Sequence, residues 1–464
     1  MNVKQLFAQV DMTTGQPWEK IVLFTIPMLI GNIAQQLYNT VDSIVVGRYV
    51  GDNALAAVGS ASPILNLLLV LFVGISMGVS IMVSQYFGSR DRENLSKTIG
   101  SSITLTAVSS LLLMICCAAI IRPVLRLLNT PESILDWCTS YLFILLMGIG
   151  GVAYYNIFCG ILRGLGDSLS ALVYLLVATV LNIILDVWFV AGLNMGVAGV
   201  ALATVIAQMV SAVLCLIKLR RMGHLFDMRL SLLKPDRENI FTVLRLGLPS
   251  GITQAIFSLA MVVVQSLTNS FGELIIAANV IIMRVDGFAM MPNFSFGTAM
   301  TTYSGQNVGA RQYERVQQGA KQGTLLAAGT SAAITALILM FGHYLMAIFT
   351  STAELVDVSA RMMAILSAGY IAMAITQSLS GIMRGAGDTM TPMWISMVTT
   401  VVIRIPLAYG INYFTGGRYE CIWISLLCSW VLGAVITVIF YRLGRWKRMA
   451  ISTAKEKEFT EYGN

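Results

Sequence analysis

A line of polar side chains runs along one face of the first long apolar segment of the sequence. Gly31, Gln35, Tyr38 and Asp42 recur at intervals of three or four residues, the spacing that places side chains on one side of an α-helix. Two later apolar segments carry similar stripes, formed by Thr179, Asn182 and Asp186 and by Thr204, Gln208 and Ser211. We expect the three stripes to converge, which would bring two carboxyl groups together among neutral polar groups.

Two carboxyl groups held close together in a poorly hydrated interior cannot both carry a charge without a large cost in free energy. We therefore expect the pair Asp42 and Asp186 to hold a proton near neutral pH. The alternative is that the pair binds Na+, with Asn182 and Thr204 as neutral oxygen ligands. Simpler roles remain open: Asp42 can lie at the hydrated outer end of its helix near Arg48, and Asp186 can form an ordinary hydrogen bond between helices.

Three more charged residues lie inside apolar segments, where a charge costs roughly 2.5 to 3.5 kcal/mol on insertion scales. Arg284 and Asp286 are two residues apart and therefore point to different faces of a helix. Arg404 either extends toward the membrane surface or pairs with Asp286. Each of the three lines a substrate cavity or ties helices together.

We assign eight residues to a substrate cavity because they are polar, or flexible like methionine, within apolar segments. They are Gln35, Tyr38, Asn156, Gln254, Arg284, Asp286, Met291 and Arg404.

The sequence offers little sign of an enzyme. It has no HExxH and no P-loop, and its seven cysteines show no CxxC spacing. The sequence therefore predicts no catalytic residues and no cofactor beyond a coupling ion, H+ or Na+.

The elements that position these side chains are membrane-spanning helices. The 464 residues are 56% hydrophobic and only 11% charged, too few charges to cover the surface of a soluble protein of this length. Apolar windows of 18 or more residues follow one another, each long enough to cross a bilayer as a helix. We predict twelve spans, at about residues 17–47, 54–87, 94–121, 132–160, 167–192, 195–218, 240–271, 274–308, 315–345, 354–381, 389–414 and 419–443.

The sequence repeats itself after 221 residues. GILRGLGDS at 160–168 returns as GIMRGAGDT at 381–389, and Gln85, Gly88 and Arg90 correspond to Gln306, Gly309 and Arg311. A duplicated unit of this length predicts two six-helix lobes. We place the lobes at residues 1–217 and 246–464, joined by a basic linker at 218–245.

The basic residues are distributed unequally between the two sides of the predicted membrane. Of the 30 Lys and Arg residues, 23 fall on the side of both termini and of the linker. The positive-inside rule therefore places that side in the cytoplasm, and the net charge of +7 reflects cytoplasmic loops rather than nucleic-acid binding. Because corresponding arginines share a side, the lobes are parallel, with a pseudo-two-fold axis along the membrane normal and a central cavity.

Five stretches carry a resemblance to a known family: IPMLIGNIAQQLYNTVDSIVVG, DNALAAVG, LRGLGD, NIILD and MRVDGFAMMPNFSFGTA. Over roughly residues 15–445 the sequence resembles the multidrug and toxic compound extrusion (MATE) family. It is more similar to the DinF-like and archaeal branch than to the NorM-like branch, because the seventh span lacks the glutamate of the latter and offers Gln254, Ser258 and Gln265 instead.

The resemblance implies alternating access with export of organic, often cationic, compounds against inward H+ or Na+. It implies an ion site at Asp42, Asn182, Asp186 and Thr204, and a helix that bends at Pro27. The implied partners are small-molecule substrates and the lipid bilayer of the cell membrane, for a protein that functions as a monomer. The alternatives are a lipid-linked precursor flippase or a dedicated metabolite exporter of the same superfamily and, from another class, a channel or a membrane-embedded enzyme.

Overall fold

The structure is a computed structural model that describes residues 9–128, 130–229 and 234–451, without the side chains of Asn39, Ser43, Asp52 and Leu55. Within these ranges the regular secondary structure is entirely helical, which confirms the predicted all-α membrane fold. Both chain termini lie outside the described residues, so the predicted position of the termini is not addressed by the fold.

The described residues of the first half form eight α-helices. The helix at Ser168–Asp186 continues as a π-helical segment, Val187–Gly192. The helices are α1 (Pro17–Tyr49), α2 (Asp52–Gly88), α3 (Arg92–Ala118), α4 (Ile121–Leu127), α5 (Glu132–Met147), α6 (Ile149–Gly164), α7 (Ser168–Asp186) and α8 (Gly196–Arg221).

Among the described residues the second half follows a similar order, but it has no counterpart of the short α4 and has an additional helix between its π-helical segment and its last helix. That π-helical segment, Val398–Arg404, joins the helices at Met390–Met397 and Ile405–Phe414. The helices are α9 (Arg237–Asn269), α10 (Glu273–Gly309), α11 (Tyr313–Ala347), α12 (Ala353–Ser367), α13 (Tyr370–Gly385), α14 (Met390–Met397), α15 (Ile405–Phe414) and α16 (Cys421–Leu443).

The helices have the lengths and composition of membrane spans. In the described part of the chain, ten are long and apolar enough to cross a bilayer, and two bent pairs, α5 with α6 and α12 with α13, raise the number to twelve if each pair is one span. The bends measure 51° and 40°. Leu67, Ile115 and Met340 are among many apolar side chains that remain more than half exposed, as expected where helices face lipid.

The internal repeat extends to backbone geometry. Arg90 and Arg311, which are 221 residues apart, both adopt a left-handed conformation, with φ of 58° and 60°. Asp167 and Asp388 each accept a hydrogen bond from the backbone N–H three residues later, at 2.9 and 3.1 Å. The two halves therefore share turns and helix caps as well as a similar helix order.

Close helix packing explains the glycines of the repeated motif. α6 packs on α2, and a β-carbon at Gly160 would lie 2.7 Å from the carbonyl oxygen of Ser76. In the second half α13 packs on α10, and a β-carbon at Gly381 would overlap the carbonyl oxygen of Gly297. Small residues at these crossings let the two backbones approach and gain van der Waals contact, which stabilises helix pairs in lipid.

The chain divides into two compact units. The first contains Ile30–Leu248, and the second contains Asp11–Leu29 and the described residues from Pro249 onward. α1 passes from one unit to the other just after Pro27, and α9 does so at Pro249. Each helix changes unit next to a proline that cannot donate a backbone hydrogen bond.

Candidate ion-coupling site

The first unit contains a buried cluster of two acids and an amide. With the side-chain amide of Asn182 assigned from its hydrogen-bond partners, Nδ2 donates to Oδ1 of Asp42 at 2.8 Å and to Oδ2 of Asp186 at 3.2 Å. The two carboxyl groups also lie within hydrogen-bonding reach of each other. Asn182 and Asp186 are fully buried, whereas Asp42 is partly exposed. α1 and α7 thus contribute one acid each, and the amide connects them.

A second pair of polar residues extends the cluster toward α8. The hydroxyl group of Tyr38 donates to Oγ1 of Thr204 at 3.2 Å and also lies within hydrogen-bonding reach of Asp42. The structure therefore brings together all four residues that we predicted for ion coupling, together with Tyr38, which we had placed in the substrate cavity. Each residue comes from one of the three polar stripes.

Local helix geometry sets the position of Asp186. The α-helical part of α7 ends at this residue and the next turn, Val187–Gly192, is π-helical. Single π-helical turns widen the backbone ring and are frequent at functional sites. Oδ1 of Asp186 is buried and has no hydrogen-bond partner among the described residues, so one oxygen of this acid is left for a proton or a cation.

Sequence reasoning missed Tyr141 on α5. Its side chain is 8% exposed and lies close enough to interact electrostatically with both Asp42 and Asp186. α5 packs on α8, which brings this tyrosine to the acids. Its neighbours YLFILL are apolar and form no polar stripe, so the sequence held no signal that separates it from a core tyrosine.

The second unit holds a separate charged cluster. Tyr370 donates its hydroxyl hydrogen to Oδ1 of Asp286 at 2.9 Å, and Nε of Arg404 donates to Oγ of Ser429 at 3.0 Å. Arg404 is 5% exposed and ends the π-helical segment before α15. Asp286 and Arg404 interact electrostatically, but no direct ion pair joins them in the described part of the chain.

Among the described residues, the other predicted cavity residues form no hydrogen bond or ion pair with either cluster. Asn156 lies on α6, where Nδ2 donates to the carbonyl oxygen of Val152 at 2.8 Å. Gln35 is partly buried on α1 and Met291 is buried on α10, whereas Gln254 and Arg284 are exposed. Whether these residues line one substrate cavity stays a prediction.

Comparison with known proteins identifies the family to which this chain belongs. Two stretches of the chain, residues 27–188 and 249–410, match the MatE family. The chain belongs to the MatE family. Proteins of this family are transporters and not enzymes, which confirms both the predicted family and the predicted absence of an enzymatic activity.

The MatE resemblance extends over almost the whole chain. The probable multidrug resistance protein YoeA of Bacillus subtilis (strain 168) is 28% identical over 442 residues, which cover 94% of this chain and 95% of that protein. Crystal structures of MATE in the bent and in the straight conformation each have a TM-score of 0.88, at 25% and 26% identity, and cover 95% of this chain and 98% of the other.

Proposed function

We propose that this MatE transporter exports organic, drug-like compounds in exchange for protons that bind at the cluster of Asp42, Asn182 and Asp186. The name of the Bacillus subtilis relative, a probable multidrug resistance protein, supports the substrate class. The observation that carries the ion site is the contact between two carboxyl groups in the interior of a membrane protein.

The geometry of the cluster supports H+ as the coupling ion. A hydrogen bond between two carboxyl groups needs a proton on one of them, since ionised carboxylates only accept hydrogen bonds. In the orientation assigned from its hydrogen-bond partners, the amide of Asn182 donates to both acids through its nitrogen, and an amide nitrogen does not ligate a cation. The arrangement therefore suits one proton shared by two acids, with the amide stabilising the remaining negative charge.

Sodium requires a different arrangement of the same residues. The amide of Asn182 would have to rotate so that its oxygen faced the acids, because hard cations take oxygen ligands. Thr204 would supply a further oxygen. Rotation of one side-chain amide thus separates the H+ form from the Na+ form of this site.

Ion binding is coupled to transport through α1. Asp42 lies on the part of α1 that belongs to the first unit, whereas the residues up to Leu29 belong to the second. Pro27 cannot donate to the carbonyl oxygen of Leu23, so the helix bends there at little cost. The similar crystal structures of MATE in bent and straight conformations support such a movement during alternating access.

We further propose that the protein works as a single chain in the cell membrane with both termini in the cytoplasm. The excess of Lys and Arg on that side supports this orientation. One chain of the similar solved structure matches almost the whole of this protein, as expected if a single chain is sufficient for transport.

The proposed coupling can be tested with purified protein in liposomes that contain a trapped pH indicator. Addition of a cationic drug should release protons from the protein, and the release should be the same with and without Na+. Drug-evoked proton release that disappears in Na+, or drug movement driven only by a Na+ gradient, would show that the site works in its sodium form.

A further inference from the structure

A polar cavity lies in the first unit, away from the carboxyl cluster. It measures about 560 Å³ and is lined mainly by the beginning of α7 and the end of α8, with Gln9 from the N-terminal segment. This volume falls within the range of about 300 to 1,000 Å³ that holds small ligands. The backbone N–H of Val10 donates to the carbonyl oxygen of Gly166 at 3.0 Å, which keeps the N-terminal segment at the cavity.

The cavity carries an excess of positive charge. Lys218, Arg221 and His224 line it, against a single acid, Asp167. The negative charge of Asp167 is already compensated, because Nζ of Lys218 lies 3.1 Å from Oδ2 and Ser170 donates to both carboxylate oxygens. Arg221 is exposed and has no ion-pair partner among the described residues. It is therefore available to bind an anion.

The internal repeat shows that Lys218 is not needed to build the fold. The residue that corresponds to Asp167 in the second half is Asp388, which caps its helix in the same way. The position of Lys218 is taken there by Ile439, and no ion pair to Asp388 occurs in the described residues. Helix capping alone thus does not explain Lys218, and its ion pair with Asp167 is a feature of the first unit.

The depth of the cavity in the membrane narrows the class of ligand that can reach it. α8 has 26 residues and is about 39 Å long at 1.5 Å per residue, which exceeds a hydrocarbon core of about 30 Å. Its end, where Arg221 and the cavity lie, therefore reaches the level of the lipid head groups. Gln9 adds a donor, since its Nε2 is enclosed and has no hydrogen-bond partner in the described structure.

We propose that this cavity binds a phosphate ester, which its position indicates to be the head group of an anionic phospholipid. Arg221 and His224 contact the phosphate oxygens, and Gln9 donates a further hydrogen bond. Basic pockets between helix ends on the cytoplasmic side recur as lipid head-group sites. A soluble phosphate ester has the same chemistry, and competition distinguishes the two sources.

Native mass spectrometry of the full-length protein in detergent tests the proposal, with phosphatidylglycerol and phosphatidylcholine as probes. The wild type should retain phosphatidylglycerol in preference, and the double variant Arg221→Gln with His224→Gln should lower its affinity by about tenfold through loss of charge-assisted hydrogen bonds. The matched control is Arg442→Gln with Arg445→Gln, the corresponding positions of the second half, which do not line the cavity.

Competition by glycerol 3-phosphate at millimolar concentration shows whether the ligand is a phospholipid head group or a soluble phosphate ester. If it does not displace the lipid, the site holds a phospholipid head group; if it binds in the cavity and depends on the same two residues, the ligand is a soluble phosphate ester. The proposal is overturned if the wild type binds neither probe, or if the double variant and the wild type bind them equally. Both substituted residues are exposed, and unchanged thermal unfolding of the double variant would show that it folds.

Discussion

The amide nitrogen of Asn182 on α7 donates to Oδ1 of Asp42 on α1 at 2.8 Å, and this bond joins the two helices through an ionisable group. Its strength depends on the charge of Asp42, because hydrogen bonds to a carboxylate are roughly twice as strong as those between neutral groups. Arrival of a proton at the acids therefore weakens this bond, while it permits the hydrogen bond between the carboxyl groups of Asp42 and Asp186. We expect a change of protonation to change the packing of α1 against α7 in this way.

The first prediction concerns the two acids. We expect Asp42→Asn and Asp186→Asn each to fold, to reach the membrane and to reduce proton-driven drug export by about tenfold or more, with the double variant little worse because the pair acts as a unit. Asp136→Asn, which removes an exposed acid paired with Arg122 at 2.9 Å, is the control. Undiminished export by both single variants would move the coupling site elsewhere, with Asp286 as the next candidate.

The second prediction distinguishes the roles of Arg404 and Arg284, which both lie within membrane-spanning helices. Arg404→Ala should lower stability by a few kcal/mol, since it leaves Ser429 without its donor and Asp286 without the nearby positive charge. Arg284→Ala should leave stability unchanged and should reduce export of anionic or zwitterionic compounds relative to cations, because this exposed side chain is free to meet a substrate. Thermal unfolding and export of a charge-matched compound series measure the two effects. An unchanged substrate range in Arg284→Ala would show that this arginine does not contact the substrate.

Much of the fold follows from the sequence because bilayer thickness limits the length of every span. The predicted seventh span, 240–271, is observed as α9 at Arg237–Asn269, and the 221-residue repeat reappears in the left-handed conformations of Arg90 and Arg311. The sequence alone did not predict the breaks at Gly148 and Gly369 or the π-helical segments. Such irregularities depend on packing between helices, as where a β-carbon at Gly148 would collide with Val205.

The candidate ion site was predicted more completely than its surroundings. Polar residues at helical spacing are conspicuous in apolar segments, so Asp42, Asn182 and Asp186 were found from their spacing. Tyrosines are not conspicuous there, and the roles of Tyr141 and Tyr370 appear only when α5 and α13 are packed against their neighbours. Periodicity identifies the face of a helix, whereas the partner of that face needs three-dimensional structure.

The third prediction concerns the proline in α1. Pro27→Ala supplies a backbone N–H for the carbonyl oxygen of Leu23 and so stabilises a straight helix. We expect thermal stability to be equal to or above that of the wild type, while the export rate falls several-fold, about as expected for a shift of 1 kcal/mol between two conformations. Pro63→Ala, within α2, is a control proline inside another span. Equal export rates for Pro27→Ala and wild type would show that bending at this residue is not part of the cycle.

The fourth prediction concerns orientation. A single cysteine placed at Lys234, in the basic linker, should resist a membrane-impermeant maleimide in intact cells and react after the cells are opened. The experiment needs a background without the native cysteines, because Cys116 is exposed. Ready labelling in intact cells would reverse the proposed topology.

The last prediction concerns the contact that fixes the start of the linker. Arg92 binds Asp227 at 2.9 Å and donates to the carbonyl oxygens of Gly223 and His224 at 3.0 and 2.8 Å. Asp227 lies outside the spans, and its hydrogen bond with Arg92 lowers the pKa of its carboxyl group below the ordinary value. The contact therefore contributes its full stability above the ordinary pKa of about 3.9 and loses it as the pH falls through the lowered pKa.

Asp227→Asn imitates the protonated state at neutral pH and should loosen this segment. We expect trypsin to cleave after Arg229 faster than in the wild type, by about fivefold at most, because both partners are solvent-exposed and an exposed ion pair is weak. Asp136→Asn breaks an exposed ion pair elsewhere and should leave cleavage of the linker unchanged. If the two variants are cleaved at the wild-type rate, the backbone bonds from Arg92 hold the segment without the carboxylate.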